Sequence, residues 1–312
     1  MIRTLAKQYG YKQETIRRYM DLFGDDTPFL LQANDAEPPL HIRTNTLKIS
    51  PGEMGNRLRK RGIDLEESAY GFQVMSTPFS ITSTPEYLLG YFYVQGIAEM
   101  HIAPLLRPES HEVVIDMCAA PGGKTTHLAQ LMNNDGVILA FDVNKNKIKA
   151  LKSHIHRLGI TNTIIFTMSA LNCTYHCSRI LLDAPCTGSG IIRKDPTRKY
   201  SRDSTDITFC SQLQKDLLSR GVANLQPGGT LLYSTCSLEP EENEMVIHWA
   251  LTHLPVEMEP IEFTVGGIAA VEGFTAPFGE SLHPHITCTR RTLPHIHDSN
   301  GMFAAKLRKK SV

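Results

Sequence analysis

Apolar positions along the chain fall into two regimes. Near the start, Ile16, Tyr19, Met20 and Phe23 recur at helical spacing and predict a helix over 12–23. Leu40–Ile49 reads as a strand. Ser50-Pro51-Gly52-Glu53 has the Ser/Glu spacing of a capping box with Pro at the first helical position, and predicts a helix to about Arg61. Phe72–Met75 reads as another strand. From residue 111 the pattern becomes regular. Val113–Met117, Val137–Phe141, Ile164–Met168, Ile180–Leu182 and Thr230–Tyr233 are short apolar runs that predict strands. Helical stretches at Thr125–Met132, Lys145–Leu158, about 206–225 and 241–254 separate or follow them. Such alternation predicts a parallel, doubly wound α/β sheet, whose ligands bind beyond the carboxyl ends of strands. A mixed α+β domain over residues 1–105 is therefore expected ahead of a regular α/β domain over 106–312.

Composition narrows the class. With 41% hydrophobic and 21% charged residues, the 312-residue chain supports a packed core, which excludes wholesale disorder. It has no apolar run of the ~18 residues a membrane span needs, and its first twenty residues lack the apolar stretch of a secretion signal. A soluble, cytoplasmic protein is expected. Lys+Arg and Asp+Glu both number 32, so net charge makes no case for a polyanionic partner. Distribution says more. Residues 1–61 hold eleven basic and seven acidic side chains, including Arg57, Arg59, Lys60 and Arg61. Arg193, Lys194, Arg198, Lys199 and Arg202 form a second cluster, and Lys306, Arg308, Lys309 and Lys310 a third. Three such clusters make an anionic partner plausible.

The seven cysteines are odd in number and irregularly spaced, which is no disulfide framework. Cys173 and Cys177 flank three residues including His176, but no second close pair completes a zinc site. His283, His285, His295 and His297 imply no ligand geometry either, so no metal is expected.

The unusual residues cluster at strand ends. The first regular strand runs into Asp116-Met117-Cys118-Ala119-Ala120-Pro121-Gly122-Gly123-Lys124. Small residues there let backbone approach a ligand, and Asp142 ends the next strand twenty residues after Gly122, where an acid accepts hydrogen bonds from ribose hydroxyls. The strict dinucleotide and phosphate-loop spacings are both absent. Two later strands end in thiols, at Asp183-Ala184-Pro185-Cys186 and Ser234-Thr235-Cys236. A thiol, a carboxyl and a nucleoside cofactor together suit alkylation of a pyrimidine at carbon 5. A thiolate adding to carbon 6 makes carbon 5 enamine-like and later leaves. Composition leaves open which thiol attacks.

These segments resemble the Sun/Fmu-type RNA (cytosine-5) methyltransferases. DMCAAPGGKTTHLA at 116–129, LLDAPCTGSG at 181–190, STCSLEPEENE at 234–244 and PHIHDSNGMFAAKLRK at 294–309 carry the resemblance, with IRTNTLK at 42–48 and GYFYVQGIAEM at 90–100. It implies a Rossmann-like, seven-stranded S-adenosylmethionine-dependent methyltransferase sheet with one late strand antiparallel, behind a smaller α+β RNA-binding domain. It further implies that Cys118, Ala119, Ala120, Pro121, Gly122, Gly123, Lys124 and Asp142 surround S-adenosylmethionine, that Cys236 is the nucleophile, and that Cys186 assists product release. Asp183 would contact both the cytosine and the cofactor, and Lys124 would project toward the base.

Three departures stand out. Met168 and Ser169 occupy the place of the acid usual near the adenine, so Ser169 would bind through its hydroxyl. Asn300 replaces a usual Asp. Lys147, where Arg is common, would lie near the cofactor. The expected partner is RNA, with transfer RNA favoured on the chain's length and lack of an appended domain. Ribosomal RNA, or a non-catalytic role in RNA assembly, is the alternative. A monomer is expected.

Overall fold

Strand and helix alternate through the middle of the chain as the periodicity predicts, and the computed structural model describes Met1–Ser311. Packing divides the chain into two units. The first comprises Met1–Pro38, Ala184–Ser219 and Tyr233–Leu307; the second comprises Pro39–Asp183, Arg220–Leu232 and the residues from Arg308.

The first unit opens with α1 (Ile2–Tyr9), α2 (Gln13–Phe23) and α3 (Thr27–Asp35). Helix α2 starts one residue after the expected position and stops at Gly24, whose positive φ of 53° no β-branched residue would tolerate. Its apolar stripe buries Ile16 and Tyr19 against Leu30, Leu31, Leu238 and Leu293.

In the second unit, β1 (Leu40–Thr44), β2 (Asp64–Ser68), β3 (Gly71–Ser76) and β4 (Phe92–Val94) form an antiparallel sheet in the order β2-β3-β1-β4. Strand β1 stops at Thr44 rather than Ile49, because the chain turns at Asn45, whose side-chain amide is claimed by the Gly90 and Leu158 carbonyls, both at 2.8 Å. Strand β2 is not legible in its acidic sequence. Only Leu65 is buried, opposite Val74, and edge strands carry such charges without penalty. Helix α4 (Pro51–Arg59) follows Ser50, whose Oγ accepts from Glu53 N at 3.2 Å. Glu53 pairs with Arg57 at 2.9 Å, so the side-chain half of a capping box is not made. Met54, Leu58 and Phe72 head the core beneath this sheet.

The regular part of the same unit holds β5 (Val113–Asp116), α5 (Gly123–Leu131), β6 (Val137–Phe141), α6 (Lys145–Leu158), β7 (Thr163–Phe166) and β8 (Cys177–Asp183). The pairs β5/β6, β5/β8 and β6/β7 are all parallel. Asn144 caps α6 by accepting from Asn146 N and Lys147 N, and Gly159 at φ 71° ends it.

Helix α7 (Ser204–Asn224) and strand β9 (Leu225–Thr235) contribute residues to both units. In the second unit the strand order is β9-β8-β5-β6-β7. In the first it is β13-β14-β15-β9, built from β13 (Val271–Glu272), β14 (Arg290–Thr292) and β15 (Met302–Lys309), with antiparallel β13/β14 and β14/β15 pairs. Strand β10 (Val256–Glu259) also pairs with β15, while β11 (Thr264–Val265) and β12 (Ile268–Ala269) form a separate ribbon. Helix α8 (Glu244–His253) begins three residues later than expected, after a single 3-10 turn over Pro240–Glu242.

Candidate active site

The glycine turn of the second unit is built by three interlocking bonds. Ala119 N donates to Phe141 O at 2.8 Å, and Ala120 N donates to Asp142 Oδ2 at 3.0 Å. Asn144 N donates to Asp142 Oδ1 at 2.8 Å. Each oxygen of this half-buried carboxylate thus holds one backbone donor and keeps a lone pair for another. Gly122 adopts φ 108°, and a Cβ there would fall 2.7 Å from Leu151 Cδ1, so only glycine fits. Pro121 is exposed, and its carbonyl meets His154 Nδ1 at 2.8 Å. Gly123 opens α5, and its carbonyl accepts from Arg43 at 2.7 Å.

Arg43 is a residue the spacing argument passed over, although it lies in the IRTNTLK segment. It is 1% exposed, also donates to Gln95 at 2.5 Å and Thr126 at 2.9 Å, and stacks over the Tyr93 ring. It ties β1 to the first turn of α5. Burial pulls its guanidinium down to about 9.

Lys124, in that first turn, reaches Asp183 Oδ2 at 2.7 Å, so two expected site residues meet directly. Beneath them Asp116 is 1% exposed and accepts from Thr125 Oγ1 at 2.7 Å. Burial above all, then the charge of Asp183, pushes it up to about 7. Burial likewise pushes the Cys118 thiol well up, helped by the charges of Asp116, Asp183 and Asp142, so it stays protonated. Lys147, exposed in the first turn of α6, opposes that rise. Ser169 is half-buried and its Oγ accepts from Leu171 N at 3.2 Å.

In the first unit the two strand-end thiols come together. Cys186 Sγ and Cys236 Sγ lie 3.4 Å apart. Cys186 is pushed well up, first by its hydrogen bond to Cys236 and then by burial. The Cys186 thiol therefore keeps its proton. The loops are pinned by Gly190, whose N donates to Cys236 O at 2.9 Å and whose carbonyl accepts from Gly301 N at 2.8 Å. Asn300 beside it acts through its backbone, its carbonyl accepting from Thr292 Oγ1 at 2.8 Å.

The acidic run after Cys236 is largely buried. Glu239 and Glu241 both engage Arg18, at 2.7 and 2.8 Å. Glu242, 0% exposed, accepts from Thr187 and Ser237, the residues that follow the two cysteines. Glu244 forms a buried pair with Arg291. His297 is claimed by main chain, with Leu293 N donating to Nδ1 at 3.0 Å and Nε2 at 3.1 Å from Ala269 O. No group of three or more potential metal ligands occurs among the described residues.

The basic clusters read from sequence are mostly neutralised. Arg57 pairs with Glu53 and Arg61 with Glu86 at 2.8 Å. Arg193 pairs with Asp298, Arg198 with Asp195, Arg202 with Asp206, Lys199 with Asp35, and Lys306 with Glu259. Helix α6 behaves differently. Lys145, Lys147, Lys149 and Lys152 are exposed, the helix contains no acid, and none of the four forms an ion pair among the described residues. Lys152 and His156 also line an open groove of about 650 Å³ with Lys48 and Arg157. No helix among the described residues is long and apolar enough to cross a membrane.

Residues 103–308 match the family profile described as 16S rRNA methyltransferase RsmB/F, and residues 2–75 match an RsmF/B-like ferredoxin-like domain. A human protein named 28S rRNA (cytosine(4447)-C(5))-methyltransferase is 40% identical over 98% of this chain, but the chain spans only 38% of that relative's length. A solved methyltransferase homologue from Pyrococcus horikoshii is 43% identical, with a TM-score of 0.89, covering 99% of this chain and 98% of that one. The NSun6 structure from the same organism, solved with SFG, is 25% identical with a TM-score of 0.83, over 95% and 98% of the two chains.

Proposed function

Because the chain belongs to the RsmB/F family of S-adenosylmethionine-dependent methyltransferases, we propose that it methylates carbon 5 of cytosine in RNA through a covalent thiol adduct. The observation that carries this reading is the 3.4 Å approach of Cys186 and Cys236. Two thiols so close, one retaining its proton, suit a reaction in which one sulfur attacks and the other manages a proton.

The glycine turn fits the cofactor. Asp142 keeps acceptor capacity for a ribose diol, and small residues from Cys118 to Gly123 leave room for a nucleoside. S-adenosylmethionine supplies an electrophilic methyl group when bound. The protein's residues do the rest. The Cys236 sulfur adds to carbon 6, placing electron density on carbon 5. Cys186 donates its S–H toward the Cys236 sulfur and so favours the anion that attacks. Asp183, held by Lys124, accepts from the cytosine's exocyclic amine, and Lys124 balances its charge. Once carbon 5 bears the methyl group, loss of its proton to a base expels the Cys236 sulfur and restores the ring. Cys186 assists that release.

We assign RNA binding to residues 1–105 and to the unpaired lysines of α6. The target base must be unpaired or flipped to reach a thiol at a strand end. Ribosomal RNA is the favoured substrate, since the human relative and one from Bacillus subtilis carry ribosomal RNA in their names. The test is methyl transfer from labelled S-adenosylmethionine to RNA lacking the modification, with bisulfite mapping. Protected cytosines in ribosomal RNA are expected. Protection confined to transfer RNA reverses the substrate, and transfer to no RNA overturns the reading.

A further inference from the structure

Glu242 is a buried carboxylate with no place in the steps above, and its partners are unusual. Its Oε1 accepts from Thr187 N at 2.8 Å and from Gln214 Nε2 at 3.3 Å. Its Oε2 accepts from Thr187 Oγ1 at 2.6 Å and from Ser237 Oγ. Thr187 directly follows Cys186, and Ser237 directly follows Cys236. Gln214 also donates to Pro185 O at 2.9 Å, so Cys186 is held from both sides along the chain. Four donors for two oxygens saturate the group, and at 0% exposure it cannot touch substrate. It is therefore neither a general base nor a ligand for RNA.

We propose that Glu242 is a positioning residue that clamps the two cysteine loops together and sets the approach of Cys186 to Cys236. Each loop hangs on this carboxylate by the residue next to its thiol. Neighbouring bonds fix the clamp itself. Tyr233 OH donates to Glu242 O at 2.5 Å, and Asn243 Nδ2 donates to Ser237 O at 2.8 Å. Adduct chemistry is sensitive to such placement, since a shift of about 1 Å at a reacting group costs on the order of 100-fold in rate. The inference deepens the proposed thiol chemistry and rests on it.

The test uses the full chain carrying Glu242→Gln, which keeps the shape but turns one acceptor into a donor. Expected is a fall of about tenfold or more in kcat, with the KM for RNA within about twofold, as for a group acting only through the reacting atoms. A second readout needs no RNA. Phenylarsine oxide bridges two sulfurs held side by side, so its affinity reports their spacing. A Cys186→Ser chain identifies the bridged pair. Glu242→Gln is expected to weaken that affinity about tenfold, on the same positional argument. Parental kcat together with parental arsenical affinity overturns the clamp. If the parent chain methylates no RNA, the functional reading fails, while the arsenical measurement still decides on Glu242 in either direction. If Glu242→Gln does not fold, Thr187→Ser and Thr187→Val replace it. The serine chain keeps both donors and is expected to hold the arsenical as the parent does. The valine chain loses the hydroxyl and is expected to bind more weakly; equal affinities overturn the proposal.

Discussion

Two strand-end regions of this molecule use similar residues for opposite ends. The glycine turn between β5 and α5 and the thiol loops after β8 and β9 are both rich in small residues and acids. At the glycine turn, Asp142 stays half-buried with one backbone donor on each oxygen, leaving capacity for a ligand. At the thiol loops, Glu242 and Glu244 are 0% exposed and bonded throughout to protein. One region presents its acid; the other uses acids as internal fasteners. A carboxylate near a site is thus informative only once its lone pairs are counted.

The sharpest break of this comparison lies in the thiols. Cys236→Ala is expected to lower turnover by at least about a thousandfold, as loss of a nucleophile does. Cys186→Ala should instead leave attack possible, though slower, and accumulate RNA joined to protein, seen as a shifted band on a denaturing gel. Matching behaviour of the two variants, with no joined species, would show that the roles are misassigned.

Next comes the fastener itself. Arg291→Met leaves Glu244 buried and unpaired, which costs about 3–5 kcal/mol. A large fall in the urea midpoint is expected, whereas Asp142→Asn, which gives up one backbone donor, should lower stability by only about 1 kcal/mol. Asp142→Asn should weaken binding of S-adenosylmethionine about tenfold by calorimetry, equivalent to about 1.4 kcal/mol. Equal stability losses in the two variants would erase the distinction between presented and fastening acids.

Smaller effects concern charge. Lys149→Glu with Lys152→Glu should weaken RNA binding several-fold and flatten its salt dependence by about two counterions. Arg57→Glu, in an already paired cluster, should do less. Asp116 makes a pH prediction. Its folded carboxyl titrates at about 7, above the ordinary value near 4, so the folded chain holds a proton that the unfolded chain has released. Stability is then lost as pH rises from about 4 through 7. Asp116→Asn keeps an acceptor for Thr125 and should remove that slope in Tm; an unchanged slope would place its origin elsewhere.

Much of the architecture was legible in the chain. The bounds of β6 and α6 agree with the apolar periodicity, because Asn144 and Gly159 are local stop signals that act within a turn of the helix they delimit. Strand β2 was hidden, since a charged edge strand lacks the alternation that marks burial. Among candidate site residues, Lys124 and Asp183 meet, as do Cys186 and Cys236. Ser169 Oγ accepts from Leu171 N and Lys147 N donates to Asn144 Oδ1, bonds between near neighbours in the chain.

What the amino-acid sequence determined by itself was therefore local: helix caps, strand runs, the glycine turn, and the identity of the reactive side chains. Tertiary structure alone decided how those side chains are paired. Cys186 and Cys236 stand fifty residues apart, Arg43 and Gly123 eighty, and Arg18 and Glu239 more than two hundred. Whether a basic cluster is neutralised or left for a polyanion also depends on acids far away in the chain, as the contrast of Lys199 with Lys152 shows. Periodicity acts over a few residues, whereas burial, hydrogen-bond saturation and charge pairing exist only once distant segments have packed.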